Sequence, residues 1–564
     1  MVKITDEDLI TIWSNVSNFL NQNELVNLAL ISKRISNEVA LPKLWKKIHI
    51  TKNPIIRKES TYLDCGTTYI SGYKAVIKTD DQNDIFLYDR IERLASTNKS
   101  RFDYIRELII DDSIFNDIID STSVIEELLS LVVTLPKIEK ILVKDYKIYA
   151  KVESIIQKLP SLKYLELINL KCYNEMSDMT QLTDLKLTFN SDMLTQKLIF
   201  SEKFTNTLTD HIESLNISIV DLHISLLDIL LLLKEKVTFK NVTSLKFDFV
   251  HPYEDGESIP SELIFDLCNQ IFELKRIKRL EMNFCCHVGH CECIEEYLEL
   301  LAPNMTNLGS ISLEETLCDN KGDNLLAEQF DSVIGKFLLS LPNHSRQVKE
   351  LCIKHDPPLN GLGNDTVEGN YYRRRRFYEQ ILPELRSLEK LVVPRMLQSI
   401  SLYEIIVCDL LWNGCTCKHC KKYLPIFDDY LMNHQYYSQT TGSYEDIIPP
   451  VMFGYVGDVL NQRTRYGLDW DLDTFKVNPA EVYWNFHGYE QVHHFTNYSC
   501  IFNETLFEPL LICVSHFFNG YMDHLVGFLP NMKLAMLSGF YYTISETPQY
   551  PFLDKMRRYK CISD

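Results

Sequence analysis

Residues Ile277-Lys278-Arg279-Leu280-Glu281-Met282-Asn283-Phe284-Cys285 hold the phrase on which the fold turns. One apolar residue is followed by two arbitrary positions, a second apolar residue, one arbitrary position and a third. The last two apolar residues stand two apart, the period of a strand with one buried face. The phrase recurs at Ile105/Leu108/Ile110, Ile138/Ile141/Val143, Leu162/Leu165/Leu167, Leu182/Leu185/Leu187 and Ile212/Leu215/Ile217. It stands again at Val242/Leu245/Phe247, Leu308/Ile311/Leu313, Val348/Leu351/Ile353 and Leu388/Leu391/Val393. Copies separated by 20 to 40 residues read as an internal repeat of irregular length. Helical spacing fills several gaps, over 259–274 with Pro260 near its start and over 325–341 with Pro342 just after. The alternative is a generic α/β domain whose strands happen to look alike. A unit this short cannot bury its apolar side alone, and stacking such units makes a curved solenoid whose strand face binds partners without needing chemistry.

Upstream, residues 1–50 read as helices with clear punctuation. Thr5 can cap a helix with Asp8 three residues on, and Leu9, Ile12, Trp13 and Val16 then fall at i, i+3, i+4 and i+7. Asn21-Gln22-Asn23 breaks the run. Leu25, Leu28 and Ile31 form a second stripe, Ser32-Lys33-Arg34 a polar turn, and Ile35 and Val39 a further short face. Pro42 is expected to interrupt, and Leu44-Trp45 close the segment. Fifty residues make a thin core, so apolar faces left outside it await a partner.

Downstream, from about 397 to 530, the phrase disappears and Cys, His, Tyr and Trp become dense. The sharpest cluster is Cys415-Thr416-Cys417-Lys418-His419-Cys420, after an expected helix over 402–412 ended by Gly414. Zinc takes four N or S ligands in a tetrahedron, and cysteines two or three apart in a tight turn supply them. Cys415, Cys417 and Cys420 with His434 or Cys408 would close such a site; reduced, partly buried thiols fit the same spacing. Cys285-Cys286-His287-x-x-His290-Cys291-x-Cys293 is denser, but Cys285 already ends a repeat phrase. Cys417 and Cys420 have redox-motif spacing, yet no βαβ pattern flanks them. A Cys–His nucleophile pair can be drawn on paper, but nothing in the sequence sets a base beside a thiol. The aromatics and histidines of 470–498 suit a ligand-facing patch or simple core filling. Neither a phosphate-cradling Gly-x-x-x-x-Gly-Lys-Ser/Thr loop nor a Gly-x-Gly-x-x-Gly fingerprint occurs.

Composition narrows the field. The 564 residues are 45% hydrophobic and 24% charged, with 58 basic against 77 acidic residues and a net charge of −19. Such a chain is ill suited to sequence-independent nucleic-acid binding, which neutralises phosphates with Lys and Arg. The run Arg373–Arg376 is the basic exception and reads as a solvated loop. MVKITDEDLI lacks the basic-then-apolar layout of a secretory signal, and Ile229–Leu233 is too short to span a bilayer, so no membrane partner is expected. Sixteen cysteines in such a chain are expected as reduced thiols in cytosol or nucleus.

The first fifty residues resemble an F-box. Asp6-Glu7-Asp8-Leu9, Ile12-Trp13, Glu24-Leu25-x-x-Leu28, Ser32-Lys33-Arg34 and Leu44-Trp45 match that family's pattern in order, although Ile4-Thr5 replaces the opening Leu-Pro and the link over 17–23 is longer. An F-box followed by irregular leucine-rich repeats, two of them with the trailing Asn190 and Cys285, is similar to the fungal F-box/leucine-rich-repeat receptors. The resemblance implies an α/β chain. Its parts would be an F-box (3–50), a connecting segment (51–103), a divergent leucine-rich-repeat solenoid (104–396), a Cys/His/aromatic insert (397–530) and a terminal repeat or cap (531–564). It implies a noncatalytic substrate receptor of an SCF ubiquitin ligase, joined to cullin and RING subunits through a Skp adaptor and holding a protein substrate on its repeats. Adaptor contacts are expected from Ile4, Leu9, Ile12, Trp13, Val16, Leu25, Leu28, Ile31, Leu44 and Trp45, with both tryptophans as anchors or as internal packing. No cofactor is expected beyond a structural zinc at Cys415, Cys417, Cys420 and His434. Two rivals stand beside this reading: an F-box scaffold in a Skp-containing, kinetochore-like assembly without ubiquitin transfer, and a cysteine- or metal-dependent enzyme in the insert.

Overall fold

The computed structural model describes residues 6–20, 22–50, 67–70, 99–110, 135–143, 149, 153, 155–157, 159–168, 179–189, 200–219, 224–251, 261–286, 293–315, 325–354, 376–393, 415–423, 435–438, 443–446, 516, 519–520, 522–537, 540–548, 550–552 and 555–561. The protein is mixed α/β. It divides into two compact units, one of Met1–Asp221 with Leu231–Val242, the other of Leu222–Leu230 with Thr243–Asp564.

The first unit opens with α1 (Asp6–Val16), α2 (Gln22–Ala29) and α3 (Lys33–Ile35). Ser32 caps α3, its Oγ accepting the Ile35 N–H at 3.1 Å. The helix widens to an i→i+5 turn over Ser36–Ala40 and runs on into α4 (Leu41–Leu44), which carries Pro42. Pro42 therefore does not interrupt the run as expected: it has no N–H to give, and the widened turn before it makes room for its ring. Thr5, the expected cap of α1, lies outside the described residues.

Parallel strands follow. In the first unit β1 (Lys47–Ile50) pairs with β2 (Thr67–Ile70) and β3 (Glu107–Ile110), and β3 with β4 (Lys140–Val143). Then β5 (Tyr164–Leu167) pairs with β6 (Asp184–Phe189), and β6 with β7 (Ser214–Ile219), after α5 (Glu202–Asp210) has bridged them. In the second unit β8 (Ser244–His251), β9 (Arg279–Cys286), β10 (Ser310–Glu315), β11 (Glu350–Lys354) and β12 (Lys390–Val393) pair in sequence order. The helices α6 (Ser261–Ile271), α7 (Cys293–Leu301) and α8 (Leu325–Ser340) connect them; α6 and α8 fall close to the spans read from periodicity, and α7 is additional. A small hairpin, β13 (Gln435–Ser438) with β14 (Ser443–Asp446), precedes β15 (Leu534–Leu537), which pairs directly with β12. The chain ends with β16 (Phe540–Ile544), a hairpin of β17 (Tyr550–Phe552) and β18 (Lys555–Arg557), and β19 (Tyr559–Cys561); β16 and β19 add antiparallel beyond β15. In sequence, the 397–530 zone thus falls between two strands that are hydrogen-bonded neighbours.

The repeat phrase sets the register. Leu108 faces Ile141, Leu165 faces Leu185, and Leu185 faces Leu215. In the second unit Leu245, Leu280, Ile311, Leu351 and Leu391 stand in one row. All of these are at most 2% exposed. The same two-amide step repeats as well. The N–H groups of Lys278 and Arg279 both donate to the Thr243 carbonyl, those of Gly309 and Ser310 to Lys278, those of Lys349 and Glu350 to Gly309, and those of Glu389 and Lys390 to Lys349. Polar positions of the phrase carry opposite charges in register: Glu166 faces Lys186 and Lys246 faces Glu281 between the apolar residues, and Glu314 faces Lys354 just after them. A one-residue slip would turn every phrase outward and break those pairs.

Two copies escape a reading by eye. Trp45-x-x-Ile48-x-Ile50 lies on β1, and Met532-x-x-Ala535-x-Leu537 on β15. Strands therefore begin upstream of residue 104, inside the expected connecting segment and at the F-box boundary. Among the described residues no helix is long and apolar enough to cross a membrane.

Candidate functional site

The N-terminal helices enclose a small core of Leu25, Leu28, Ile35, Val39, Ala40 and Leu44, with Ile10, Trp13, Leu20, Ala29 and Trp45 packed against it. At about 100° per residue, Ile10, Trp13 and the buried Ser17 share one side of α1, while Leu9, Ile12 and Val16 share an arc rotated roughly a quarter turn away. The single apolar face read from sequence is two faces. Leu9, Ile12 and Val16 are 39%, 49% and 37% exposed, and Val26, Leu30 and Ile31 add 45%, 79% and 58% from α2 and the turn after it.

The expected contact residues therefore sort into three groups. Leu9, Ile12, Val16 and Ile31 are surface. Leu25, Leu28 and Leu44 are 1%, 3% and 8% exposed and form the module's core, where a side chain so covered has little face to offer a partner. Trp13 packs inward, and Trp45 carries the Arg101 guanidinium over its ring at 5.4 Å, so both tryptophans serve internal packing. Ile4 lies outside the described residues. Val26 and Leu30 lie off the Leu25/Leu28 stripe and join the exposed group.

The module is held to the strands beyond it. The Gln22 side-chain oxygen accepts the Tyr69 N–H at 3.1 Å, Thr68 donates its hydroxyl to the Leu44 carbonyl, and the amides of Arg106 and Glu107 both reach the Lys46 carbonyl. Arg34 and Glu38 pair at 3.0 Å on an exposed face, an ion pair that contributes little.

The second cluster lies in the Cys-rich zone. Sγ of Cys415, Cys417 and Cys420 and a ring nitrogen of His516 all lie within 4.8 Å of one another. Nδ1 of His516 is 3.2 Å from the Cys420 sulfur and 3.6 Å from that of Cys417. The Cys417 N–H donates to the Cys415 sulfur and the Cys420 N–H to the Cys417 sulfur, each at 3.4 Å. Burial, with His419 and Arg557 nearby, holds His516 down at about 4, so its ring is neutral near pH 7. Burial raises the Cys417 thiol, but the Cys420 N–H and the adjacent thiols outweigh it and the net direction is down. By contrast burial pushes Cys268 up to about 12 and Cys352 up to about 11, as for inert core thiols. The expected fourth ligands His434 and Cys408 lie outside the described residues. His516 was missed because it stands 96 positions from Cys420, beyond any ligand-spacing rule. His287, His290, Cys291, Arg373–Arg375 and 470–498 are likewise outside the described residues.

No protein-family model matches the sequence. The chain is 41% identical over 552 residues, covering 96% of its length and 97% of the other, to a Saccharomyces cerevisiae protein named "Non-SCF-type F-box protein ROY1". That name runs against the expectation of an SCF substrate receptor, while the identity and coverage carry the F-box reading across nearly the whole length. The chain belongs to the F-box proteins.

Proposed function

We propose that residues 6–45 are the F-box itself and dock on a Skp-type adaptor through Leu9, Ile12, Val16, Val26, Leu30 and Ile31. One observation carries this: a small helical module keeps these large aliphatic side chains 37–79% exposed in a chain whose family is defined by such a module. Burying one large aliphatic side chain is worth about 1.5–3 kcal/mol when it starts fully exposed, and these start roughly half exposed. The set therefore offers on the order of 5 kcal/mol before the cost of association. The parallel strands with their in-register phrases support a divergent leucine-rich-repeat solenoid, which presents a surface to a second protein and carries no chemistry of its own.

Of the two F-box roles, the scaffold that engages the adaptor without ubiquitin transfer is the reading adopted, because the relative that matches along nearly its full length is named as not of the SCF type. The buried free thiols Cys268 and Cys352 suit a reducing compartment, cytosol or nucleus. Copurification from cells tests both halves. The tagged chain should bring down the adaptor in stoichiometric amount with little or no cullin. Ile12→Asp with Ile31→Asp should lose the adaptor while the circular-dichroism spectrum and melting point stay near those of the parent chain. Adaptor retained by the folded double variant would overturn the docking surface, and stoichiometric cullin would restore the ligase receptor.

A further inference from the structure

We propose that Cys415, Cys417, Cys420 and His516 bind one zinc ion, which ties the start of the Cys-rich insert to the helical run leading into β15. The four donor atoms converge on one point as the corners of a zinc site do. Bonds of about 2.3 Å to sulfur and about 2.0–2.1 Å to nitrogen give S···N edges of about 3.6 Å and S···S edges of about 3.8 Å. The two S···N separations here are 3.2 and 3.6 Å, and no pair in the set exceeds 4.8 Å. Few side-chain movements separate the site from a loaded one.

The chemistry of the donors selects the metal. Three thiols and one imidazole are soft and borderline ligands, with no carboxylate among them, so calcium and magnesium have nothing to hold. Four protein ligands fill a tetrahedron and leave no open position, which marks a closed structural site and not a catalytic one. Both N–H···S bonds of 3.4 Å point at ligand sulfurs, the arrangement that stabilises thiolate charge around a bound metal. Lys418, Lys421 and Lys422, all exposed, surround the turn and offset the net negative charge that three thiolates leave on a divalent ion.

The position in the fold gives the ion a task. The chain leaves β12 at Val393 and returns to its neighbour β15 at Leu534. His516 belongs to the returning end. Downstream of it Met522, Leu525 and Leu529 are buried, and the Asn519 carbonyl accepts the Tyr559 hydroxyl at 2.8 Å, so that end is fixed to the terminal strands. A ligand pair 96 positions apart then closes the intervening chain at its base, much as a disulfide closes a long loop.

Metal analysis of the full chain, purified without chelator, tests this. One zinc per chain is expected, and Co(II) exchanged for it should show the intense visible bands of a tetrahedral thiolate site. Cys417→Ser and His516→Ala should each lose most of the zinc, whereas His434→Ala should keep it. His516→Cys, which preserves four N/S ligands, should retain one ion and so separates ligand loss from misfolding. Wild-type protein with neither zinc nor the cobalt bands, or with a Cys417–Cys420 disulfide, would overturn the site. Zinc lost from His434→Ala but kept in His516→Ala would overturn the assignment of His516.

Discussion

In the N-terminal helices Leu25 and Leu28 are 1% and 3% exposed while Leu30 and Ile31, a turn later, are 79% and 58% exposed. In the strands β8 to β12 the row Leu245, Leu280, Ile311, Leu351 and Leu391 is nowhere more than 1% exposed. Both regions are built from the same aliphatic residues, and the contrast lies in what each does with the excess. A parallel strand flanked by its own copies has a neighbour on each edge, so its apolar residues are used up internally, and on β8 and β9 the position between them carries the paired charges Lys246 and Glu281. A short helical module has too little volume for all of its apolar residues. Of the eleven large hydrophobic residues that are exposed among the described ones, six fall between Leu9 and Ile31. One region satisfies its apolar residues internally, and the other leaves a share of them at the surface.

The sharpest way to break this comparison is to truncate one buried leucine in each region. Leu280→Ala removes a side chain with no exposure from the middle of its row, and Leu28→Ala one that is 3% exposed. Each should cost about 2–5 kcal/mol, since both lose transfer energy and leave a cavity. The consequences differ. Leu28→Ala should abolish adaptor binding by melting the module, and restoring the module by lowering temperature should restore binding. Leu280→Ala should lower the stability of the second unit, read by chemical denaturation, and leave adaptor affinity unchanged. Equal loss of adaptor binding in both would mean that the two regions do not divide the work.

How much of this was legible before the fold? Every copy of the phrase that the sequence displays sits on a strand, because a strand buried on one face imposes its period on the residues themselves. The copies that escaped were those whose first position was already assigned to something else, as Trp45 was to the close of the F-box segment, or whose middle position was the small Ala535. The faces of α1 were not legible. Ile12 and Trp13 are neighbours in one apolar arc, and only the placement of α2 and α4 decides which of them turns inward. His516 was out of reach for a different reason. The three cysteines declare themselves by close spacing, but a ligand on a distant helical run is brought in by tertiary structure alone. Pro42 was misread because a proline in a helix is accommodated by a local widening that no residue announces.

A smaller effect is expected at Ser32. Its hydroxyl accepts the Ile35 N–H at 3.1 Å and starts the helical run that carries Ile35, Val39 and Leu44 into the core. Ser32→Ala should cost about 1 kcal/mol of module stability, and Ser32→Asp should recover most of it, because either side chain satisfies the same orphan amide. Thermal melting of the chain with and without adaptor would separate this from a contact effect. A cap lost in the free module should weaken binding only through the folded fraction.

The smallest effect on stability is expected where the comparison is most distinctive. Ile12 and Leu30 are 49% and 79% exposed, so truncating either to alanine removes surface that is already largely wet. Each should change stability by no more than about 0.5 kcal/mol, as for ordinary surface positions. The same residues should matter in the complex, where burying the wet part of one aliphatic side chain is worth on the order of 1 kcal/mol, or roughly a fivefold change in affinity. Because Ile12 lies on α1 and Leu30 just beyond α2, their effects on affinity should add if one continuous adaptor surface covers both. If Ile12→Ala weakens binding and Leu30→Ala does not, the surface is narrower and belongs to α1. If either destabilises the free chain as much as Leu28→Ala does, the residue is core, and the division between a contact-making module and a self-satisfied strand row fails at that position.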